Sequence, residues 1–312
     1  MIGQNREHGF ISNKESEAIA DKTIVYMGLG GVGEPHARNM VQKGVKRIIL
    51  ADPDTIEKTN ANRLEIATHE AIVNREKKIR ALGEHVLRIN PDLDITYYDE
   101  GVTEENVDEI ISLAGPNGII IDGIDVQEWW RSVLVARKAR EKGLIVQTGL
   151  NIAFGGAVTS FDPNPSRAHK TIEHYYGLPK NIPLNEIKEY PLNLPRLSPY
   201  CPSYGDVDTF RGMIEGGPNG TTLEGVSSAA TLGIVQTQKH IFQGVEVRGV
   251  MGNNRKQPVW YPRWKVMDPY NEINKEVHQH GPVNFMAGLA VGAVLNLVNK
   301  VPKASYYEDE NF

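Results

Sequence analysis

The sequence predicts an α/β fold in which helices cover both faces of a doubly wound, mostly parallel sheet extended by antiparallel strands. Three observations predict it. Short apolar runs alternate with helical patterns over the first half of the chain, and a glycine-rich turn joins the first run to the first helix. After residue 149 the alternation stops, and residues 152–163 predict an extended or hairpin segment that is typical of an antiparallel addition to the sheet. With 312 residues, of which 40% are hydrophobic, the chain can bury a core of this kind.

The parallel strands are predicted from apolar, β-branched runs that end at glycine or aspartate. These runs are Thr23–Gly28, Arg47–Asp52, residues 94–99, Gly118–Gly123 and Leu144–Gly149. Helical spacing predicts the helices Lys14–Ala20, one ending near Val41, Glu76–Ile89, Glu104–Leu113 and Val126–Lys142. Since each strand is followed by a helix, right-handed crossovers and parallel pairing are expected.

The second half predicts an elaboration of the same domain. We expect a polar arm (1–22), a Rossmann-like nucleotide-binding core (23–161), a long crossover that contacts the substrate (162–224) and C-terminal helices and strands (225–312). Residues 257–269 predict a strand or hairpin. The helices Gly225–Phe242 and 285–301 carry many small residues, which suit contact with a second subunit or packing on the chain's own sheet.

Composition excludes several classes of protein. The net charge of −5 argues against a chain whose main task is to grip nucleic acid. The N-terminal residues are polar and no run of about 18 apolar residues occurs, so we expect neither a signal peptide nor a membrane span. The single cysteine, Cys201, excludes an intramolecular disulfide framework and a four-cysteine zinc site. A cytoplasmic location is expected.

The glycine-rich turn predicts a nucleotide site. Gly28, Gly30, Gly31 and Gly33 lie between a predicted strand and a predicted helix, where free backbone N–H groups attract phosphate. Asp52 ends the next strand, at the position where a carboxylate can bind a ribose hydroxyl. This turn alone leaves NAD and ATP open.

The polar segment that follows favours a triphosphate. It contains Asp52, Asp54, Asn60, Asn62 and Arg63. The arginine can neutralise phosphate and the asparagines can bind oxygens.

Two charged residues further along the chain fit the same ligand. Lys78 adds a positive charge on the following predicted helix. Asp125 follows a later strand at the expected ligand-binding edge, where a carboxylate beside phosphates predicts a Mg²⁺ ligand.

Together these motifs resemble the ThiF/MoeB/ubiquitin-activating superfamily of ATP-dependent adenylating enzymes. The matching motifs are Gly28–Gly33, the segment Asp52-Pro-Asp54-Thr-Ile56-Glu-Lys-Thr59-Asn60-Ala-Asn62-Arg63, Lys78 twelve residues before Asn90-Pro91, and Asp122-Gly-Ile-Asp125 with Arg131 six residues later. The resemblance covers about residues 5–160 and, more loosely, Gly225–Ile241.

The resemblance implies a role for each matching residue. Gly30, Gly31 and Gly33 would hold the nucleotide and Asp52 the ribose. Asn60, Arg63 and Lys78 would bind the triphosphate, and Asp125 would bind Mg²⁺. A carboxylate substrate would attack the α-phosphate to form an acyl-adenylate, with no general base required because the substrate is already an anion.

Two further assignments depend on the resemblance. Arg6 matches an arginine that reaches into the partner's active site in homodimeric members, although the residues that accompany it are absent here. Cys201 lies where some relatives place a thioester-forming cysteine, but no basic cluster adjoins it in the sequence, so adenylation without a thioester is favoured.

The sequence also departs from the family. Leu64 replaces a frequent glutamine, and Arg75 replaces a frequent glycine before the lysine. The CxxC pairs that hold structural zinc in many relatives are absent, so no structural zinc is expected. The closest pair of histidines, His278 and His280, is interpreted as solvent-exposed.

Three classes of function remain open. The first is an enzyme that adenylates the C-terminus of a small ubiquitin-like or sulfur-carrier protein, a peptide, or, in the dehydratase branch, a modified tRNA base. The second is an NAD(P)-dependent oxidoreductase, and the third is a nucleotide-binding scaffold without catalysis. A homodimer is expected in the first class.

Overall fold

One eight-stranded sheet organises the protein. The computed structural model describes residues 7, 10–179, 181–190, 197–200, 221–243, 245 and 257–279. The strands are β1 (Thr23–Met27), β2 (Arg47–Ala51), β3 (Asp94–Tyr98), β4 (Ile119–Asp122), β5 (Ile145–Ile152), β6 (Gly155–Phe161), β7 (Arg263–Asp268) and β8 (Ile273–His278). Their order is β3-β2-β1-β4-β5-β6-β7-β8. The first five strands pair in parallel and the last three are antiparallel additions, which confirms the predicted class.

Helices cover both faces of this sheet. They are α1 (Asn13–Ala20), α2 (Gly33–Gln42), α3 (His69–Val73), α4 (Lys78–Ile89), α5 (Val107–Leu113), α6 (Trp129–Glu141), α7 (Ile172–Tyr176), α8 (Leu184–Lys188) and α9 (Leu223–Phe242). Alternate strand residues face one of two buried clusters. One cluster contains Val25 and Ile49 with α5, α6 and α7, and the other contains Ile24 and Ile48 with α1, α2 and α4.

The strand order fixes where a ligand can bind. The chain runs outward from β1 to β2 and β3, and then returns to the other side of β1 as β4. The crevice at the carboxyl ends of β1 and β4 is therefore the topological switch point, which is where open α/β sheets bind ligands. Gly28 follows β1 and Asp125 follows β4, so both predicted site segments lie at this edge.

Helix boundaries differ from prediction where side chains form local turns. The helix predicted from Glu104 begins at Val107, because Thr103 and Asn106 bond each other's backbone N–H groups through their side chains. The helix predicted over Val126–Lys142 is divided into a 3₁₀ turn, Val126–Glu128, and α6.

The structure adds elements that were not predicted in the part of the chain described. The crossover contains α7 and α8 rather than loop alone, and Glu173 of α7 is bound by Arg137 and Arg140 of α6. The strand or hairpin predicted over residues 257–269 is observed as β7, which pairs with a further strand, β8, outside the predicted range. The short helix α3 was also not predicted.

Small residues of α9 bring it close to the chain's own sheet. A Cβ on Gly156 of β6 would lie 2.3 Å from the backbone nitrogen of Ala229, and one on Gly233 would lie 2.9 Å from the His36 ring. Of the two alternatives for this helix, packing on its own sheet is the one observed. The predicted helix 285–301, Arg6 and Cys201 lie outside the described residues.

In the described part of the chain, no helix combines the length and the apolar character that crossing a bilayer requires.

Candidate active site

The four glycines of the turn lack side chains for different reasons. Gly28 has a φ of 95°, and a Cβ there would lie 2.4 Å from the Gly123 carbonyl oxygen. A Cβ on Gly33 would lie 2.1 Å from the Gly28 oxygen, and one on Gly31 would lie 2.7 Å from Val226. By contrast, a Cβ on Gly30 would meet nothing within 4 Å. Packing explains the other three glycines, whereas Gly30 leaves open space at the start of α2.

Asp52 joins the glycine turn to the polar segment. Its Oδ2 accepts from the Leu29 amide at 2.5 Å and its Oδ1 from the Asp54 amide at 2.8 Å. Burial raises the pKa of Asp52, while Lys78 and the Leu29 amide oppose that rise. Asp52 therefore orders both backbone segments that face the switch point, at the position predicted for a ribose ligand.

Lys78, at the start of α4, lies within a cluster of charged residues. Its Nζ donates to Asp54 Oδ2 at 2.6 Å, and its backbone amide donates to the Asp54 carbonyl at 3.0 Å. The Asp54 side chain is 53% exposed, whereas that of Lys78 is 9% exposed. Lys78 is thus held by a carboxylate that solvent, or a competing anion, can reach.

Asp125 and Arg63 complete this cluster from two other segments. Asp125 is an exposed residue whose carboxylate is partly desolvated, and this desolvation raises its pKa. The nearby charges of Lys78 and Arg63 oppose the rise, whereas the Asp54 carboxylate adds to it. Burial lowers the pKa of Arg63 and Asp125 opposes this effect. Residues that follow β2 and β4 and the first residue of α4 therefore lie close enough for their charges to interact.

The Arg63 guanidinium is partly bound and partly free. Nη1 donates to the Thr59 carbonyl at 2.6 Å and to Asn62 Oδ1 at 2.9 Å. Nε is buried and has no hydrogen-bond partner among the described residues. It lies beside Gly31, where a Cβ would be 3.8 Å from it. An unpartnered buried donor is costly unless a ligand satisfies it.

The two asparagines of the segment differ in their contacts. Asn60 is buried, and its Oδ1 accepts from the Glu57 amide at 3.1 Å, which fixes the 3₁₀ turn Lys58–Asn60. Asn62 is exposed and its amide donates to the Thr221 carbonyl at 3.0 Å. Both shape the segment that carries Arg63.

Several predicted features lie away from this cluster or serve the fold. The Arg131 guanidinium bonds Glu128 and the Val102 carbonyl. Leu64 is 3% exposed and packs in the core. Arg75 has a φ of 49°, a left-handed backbone conformation that glycine adopts most easily, which explains why glycine is frequent at this position in the family. His278 is exposed at the end of β8, whereas His280 lies outside the described residues.

Asp122 is a site residue that the sequence did not single out by itself. Its buried carboxylate accepts from Ser132 Oγ at 2.9 Å and from the Ile124 amide at 3.3 Å. Burial raises the pKa of Asp122 to about 6, although the Ser132 hydrogen bond opposes the rise. These bonds order the loop that carries Asp125. The signal available in the sequence was the first aspartate of the Asp122-Gly-Ile-Asp125 motif.

This arrangement can bind an anionic ligand at an edge that combines a helix start with a lysine and an arginine. No three His, Cys, Asp or Glu side chains are grouped for a metal within the described ranges. A metal at this edge would therefore take further oxygen ligands from a bound phosphate or from water. The fold and the site together define an α/β protein with a candidate anion-binding site at the topological switch point of its sheet.

The ThiF family profile matches residues 4–307, and the chain therefore belongs to the ThiF family. This membership supports an ATP-dependent adenylating enzyme at the level of the family. Among relatives, the tRNA threonylcarbamoyladenosine dehydratase of Escherichia coli (strain K12) is 28% identical over 180 residues, which are 54% of this chain and 64% of the relative. Ubiquitin-like modifier-activating enzyme 5 of Bombyx mori is 35% identical over 95 residues, 30% of this chain and 23% of the relative.

Solved structures share the fold. PaaA matches 89% of this chain and 69% of its own with a TM-score of 0.58 and 14% identity. Escherichia coli MccB, crystallised with ATP, matches 86% of this chain and 67% of its own with a TM-score of 0.58 and 13% identity. At these identities the likeness concerns the fold alone. The chain also matches less than two thirds of the length of the curated relatives above.

Proposed function

We propose that the protein uses ATP and Mg²⁺ to adenylate a carboxylate at the C-terminus of a small ubiquitin-like or sulfur-carrier protein or of a peptide. The observation that carries this proposal is that Arg63, Lys78 and Asp125 lie close enough for their charges to interact, and that Arg63 is beside the glycine turn. A nicotinamide dehydrogenase requires no such charged cluster at its glycine turn. A triphosphate does, because each of its phosphate groups carries negative charge that must be neutralised.

The reaction would consist of one displacement at phosphorus. A carboxylate oxygen of the substrate attacks the α-phosphorus of ATP, and the bond from that phosphorus to the oxygen bridging to the β-phosphate breaks. Pyrophosphate leaves with the electron pair, and the product is an acyl-adenylate. The protein contributes positioning and charge neutralisation through Arg63 and Lys78, while Asp52 orients the ribose.

The residues at the site fit a nucleotide-bound Mg²⁺. This ion is usually held by one or two carboxylates together with substrate phosphates and water. Asp125 would hold it, and Asp54 lies close enough to affect the Asp125 charge. When bound, the ion would supply charge stabilisation on the phosphate oxygens.

We also propose a homodimer in which Arg6 serves the site of the partner. The expectation comes from the family resemblance, and Arg6 lies outside the described residues. Adenylation would precede transfer of the acyl group to a nucleophile, and Cys201 is a candidate only if a thioester forms.

A second candidate is favoured by one relative. The Escherichia coli tRNA threonylcarbamoyladenosine dehydratase is 28% identical over 180 residues, the longest of the sequence matches described above. In that case the activated group would belong to a modified tRNA base rather than to a polypeptide.

A pyrophosphate-exchange screen separates the candidates. The full-length protein is incubated with ATP, Mg²⁺ and labelled pyrophosphate, and with a carrier protein ending in Gly-Gly, a set of peptides, or modified tRNA. We expect exchange with a carrier or peptide and none after its terminal carboxylate is amidated. Exchange that depends only on tRNA would transfer the assignment to the second candidate.

Asp125→Asn tests the metal assignment within the same assay. We expect the exchange rate to fall by about 10²–10³, the size of loss seen when a transition-state charge partner is removed. Asp108→Asn is the matched control, since Asp108 is an exposed residue that pairs with Lys138 on α6. Undiminished exchange by Asp125→Asn would disprove its role as metal ligand.

A further inference from the structure

Asn62 bonds two groups that are far apart in the chain. Its Oδ1 accepts from Arg63 Nη1 at 2.9 Å, and its Nδ2 donates to the Thr221 carbonyl at 3.0 Å. A guanidinium requires an acceptor and a carbonyl requires a donor, so the amide has one consistent orientation. Thr221 immediately precedes Thr222, the N-cap of α9. Asn62 therefore connects the arginine of the site to the start of α9.

These contacts determine which edge of Arg63 is left for a ligand. Nη1 is held by Asn62 and by the Thr59 carbonyl. An arginine binds phosphate best through two parallel N–H groups on one edge. With Nη1 occupied, the remaining edge is formed by Nε and Nη2, and Nε is the buried donor that has no partner in the described part of the chain.

The Nε end of that edge lies beside the glycine turn. A Cβ placed on Gly31 would lie 3.8 Å from Arg63 Nε and 3.8 Å from Cδ, and it would also contact Val226 of α9. Arg63 Nε is therefore close to the glycine turn, which itself contacts the first turn of α9, and a small rotation of the guanidinium would change which of its nitrogen atoms contacts a ligand.

We propose that Asn62 is a positioning residue that orients Arg63, so that the Nε–Nη2 edge faces the phosphates of the nucleotide. The inference rests on the proposed function, because it requires ATP at the glycine turn. Asn62 then acts through Arg63 instead of contacting the nucleotide itself.

A second asparagine provides a control for the link to α9. Asn151 Nδ2 donates to Thr221 Oγ1 at 3.2 Å, and Thr222 Oγ1 donates to the Ala153 carbonyl at 2.7 Å. Removing the Asn151 side chain therefore weakens the attachment of Thr221 without altering the hydrogen bonds from Arg63 Nη1 to Thr59 and Asn62. The two asparagines share Thr221 but only Asn62 bonds Arg63.

The test is a double-mutant cycle on the full-length protein. Titration calorimetry measures the Kd of a non-hydrolysable ATP analogue with Mg²⁺ for the wild type, Asn62→Ala, Arg63→Ala, the double variant and Asn151→Ala. Loss of one hydrogen bond to a charged group predicts a Kd about three- to tenfold higher for Asn62→Ala. The double variant should bind as Arg63→Ala alone does, and Asn151→Ala should stay within about twofold of the wild type. Thermal unfolding of each variant confirms that it is folded.

The outcomes distinguish the inference from the function on which it rests. If the two losses multiply in the double variant, Asn62 acts independently of Arg63 and the inference is wrong. Equal losses in Asn62→Ala and Asn151→Ala would also overturn it, because the effect would then come from docking of α9. If Arg63→Ala itself binds the analogue normally, the triphosphate site proposed above fails.

Discussion

Glu34, the second residue of α2, has a buried carboxylate that makes no hydrogen bond among the described residues. The residue is 1% exposed, and Arg38 Nε lies 3.6 Å from its Oε1. Burial raises the pKa of Glu34 from 4.5 to about 7, with Glu65 adding to the rise and Arg38 opposing it. The folded protein therefore binds a proton here that the unfolded chain has already lost at pH 6.

This pKa gives stability a specific pH dependence. Protonated Glu34 contributes fully to the free energy of unfolding below about pH 4.5. This contribution is lost as the pH rises through 7, where the buried carboxylate of the folded protein ionises. Glu34→Gln should therefore raise the free energy of unfolding by about 1–3 kcal/mol at pH 8 and change it little at pH 5, since one pKa unit corresponds to about 1.4 kcal/mol. Urea denaturation at both pH values measures the effect.

Glu70, exposed on α3, provides the matched control for this prediction. Glu70→Gln should shift the free energy of unfolding by less than about 0.5 kcal/mol at either pH. A gain for Glu34→Gln that is equal at pH 5 and pH 8 would show that ionisation is not its source.

Cys201 is predicted to be dispensable for adenylation. Attack on the α-phosphate needs a substrate carboxylate and charge neutralisation, neither of which a thiol supplies. Cys201→Ser should therefore exchange pyrophosphate at the wild-type rate, and the wild type should form no thiol-sensitive adduct with its carrier on non-reducing gels. Loss of exchange in this variant would instead support a thiol within the reaction.

At the scale of elements, the glycine turn separates residues that serve the fold from one that serves the ligand. Gly30→Ala should leave the melting temperature unchanged, because its Cβ meets nothing within 4 Å. The same methyl would occupy the space beside the phosphates and weaken ATP binding at least about tenfold, which equals ~1.4 kcal/mol. Calorimetric titration and thermal unfolding measure the two effects separately.

Gly33→Ala is the counterpart in the same turn. Its Cβ would lie 2.1 Å from the Gly28 carbonyl oxygen, so the backbone must move. We expect destabilisation of about 1–3 kcal/mol, as for other overpacked sites. If Gly30→Ala destabilised as much as Gly33→Ala and bound ATP normally, the open space at Gly30 would not be a ligand site.

The sequence was most informative where a residue's role follows from its own segment. The strands and the glycine turn are local patterns, and the right-handed crossover rule then places their carboxyl ends together. Edge strand β8 escaped prediction because INKEVH is polar and mostly exposed. The orientation of Arg63 was also out of reach, since it depends on Asn62, which bonds Thr221 across 159 positions.

At the scale of the whole molecule, the basic side chains of α6 are largely paired within the chain. Arg137 and Arg140 bind Glu173, Lys138 binds Asp108 and Arg131 binds Glu128. Together with the net charge of −5, this pairing leaves less free positive charge on α6 for a phosphate backbone. It favours a polypeptide substrate over tRNA in the screen proposed above.

The position of Glu7 bears on the proposed dimer. Its carboxylate accepts from Lys43, which caps the C-terminal end of α2. The glycine turn lies at the other end of this 10-residue helix, which is ~15 Å long. The Glu7 carboxylate is therefore held at the end of α2 that is remote from its own glycine turn, which agrees with the proposed action of the N-terminal arm in the site of a partner subunit.

Subunit mixing tests this arrangement. Neither Arg6→Ala nor Asp125→Asn should be active alone, but a heterodimer contains one site in which both residues are intact. When equal amounts pair at random, about half of the C2 dimers are heterodimers, and each heterodimer has one complete active site out of two. About a quarter of all active sites are then complete, so about a quarter of the wild-type exchange rate should return. Mixing Arg6→Ala with the Arg6→Ala/Asp125→Asn double variant is the control, because no pairing of these chains restores a complete site. If subunit exchange is verified by mass spectrometry and activity stays absent, Arg6 does not act across the dimer, and the arm on which it lies serves another purpose.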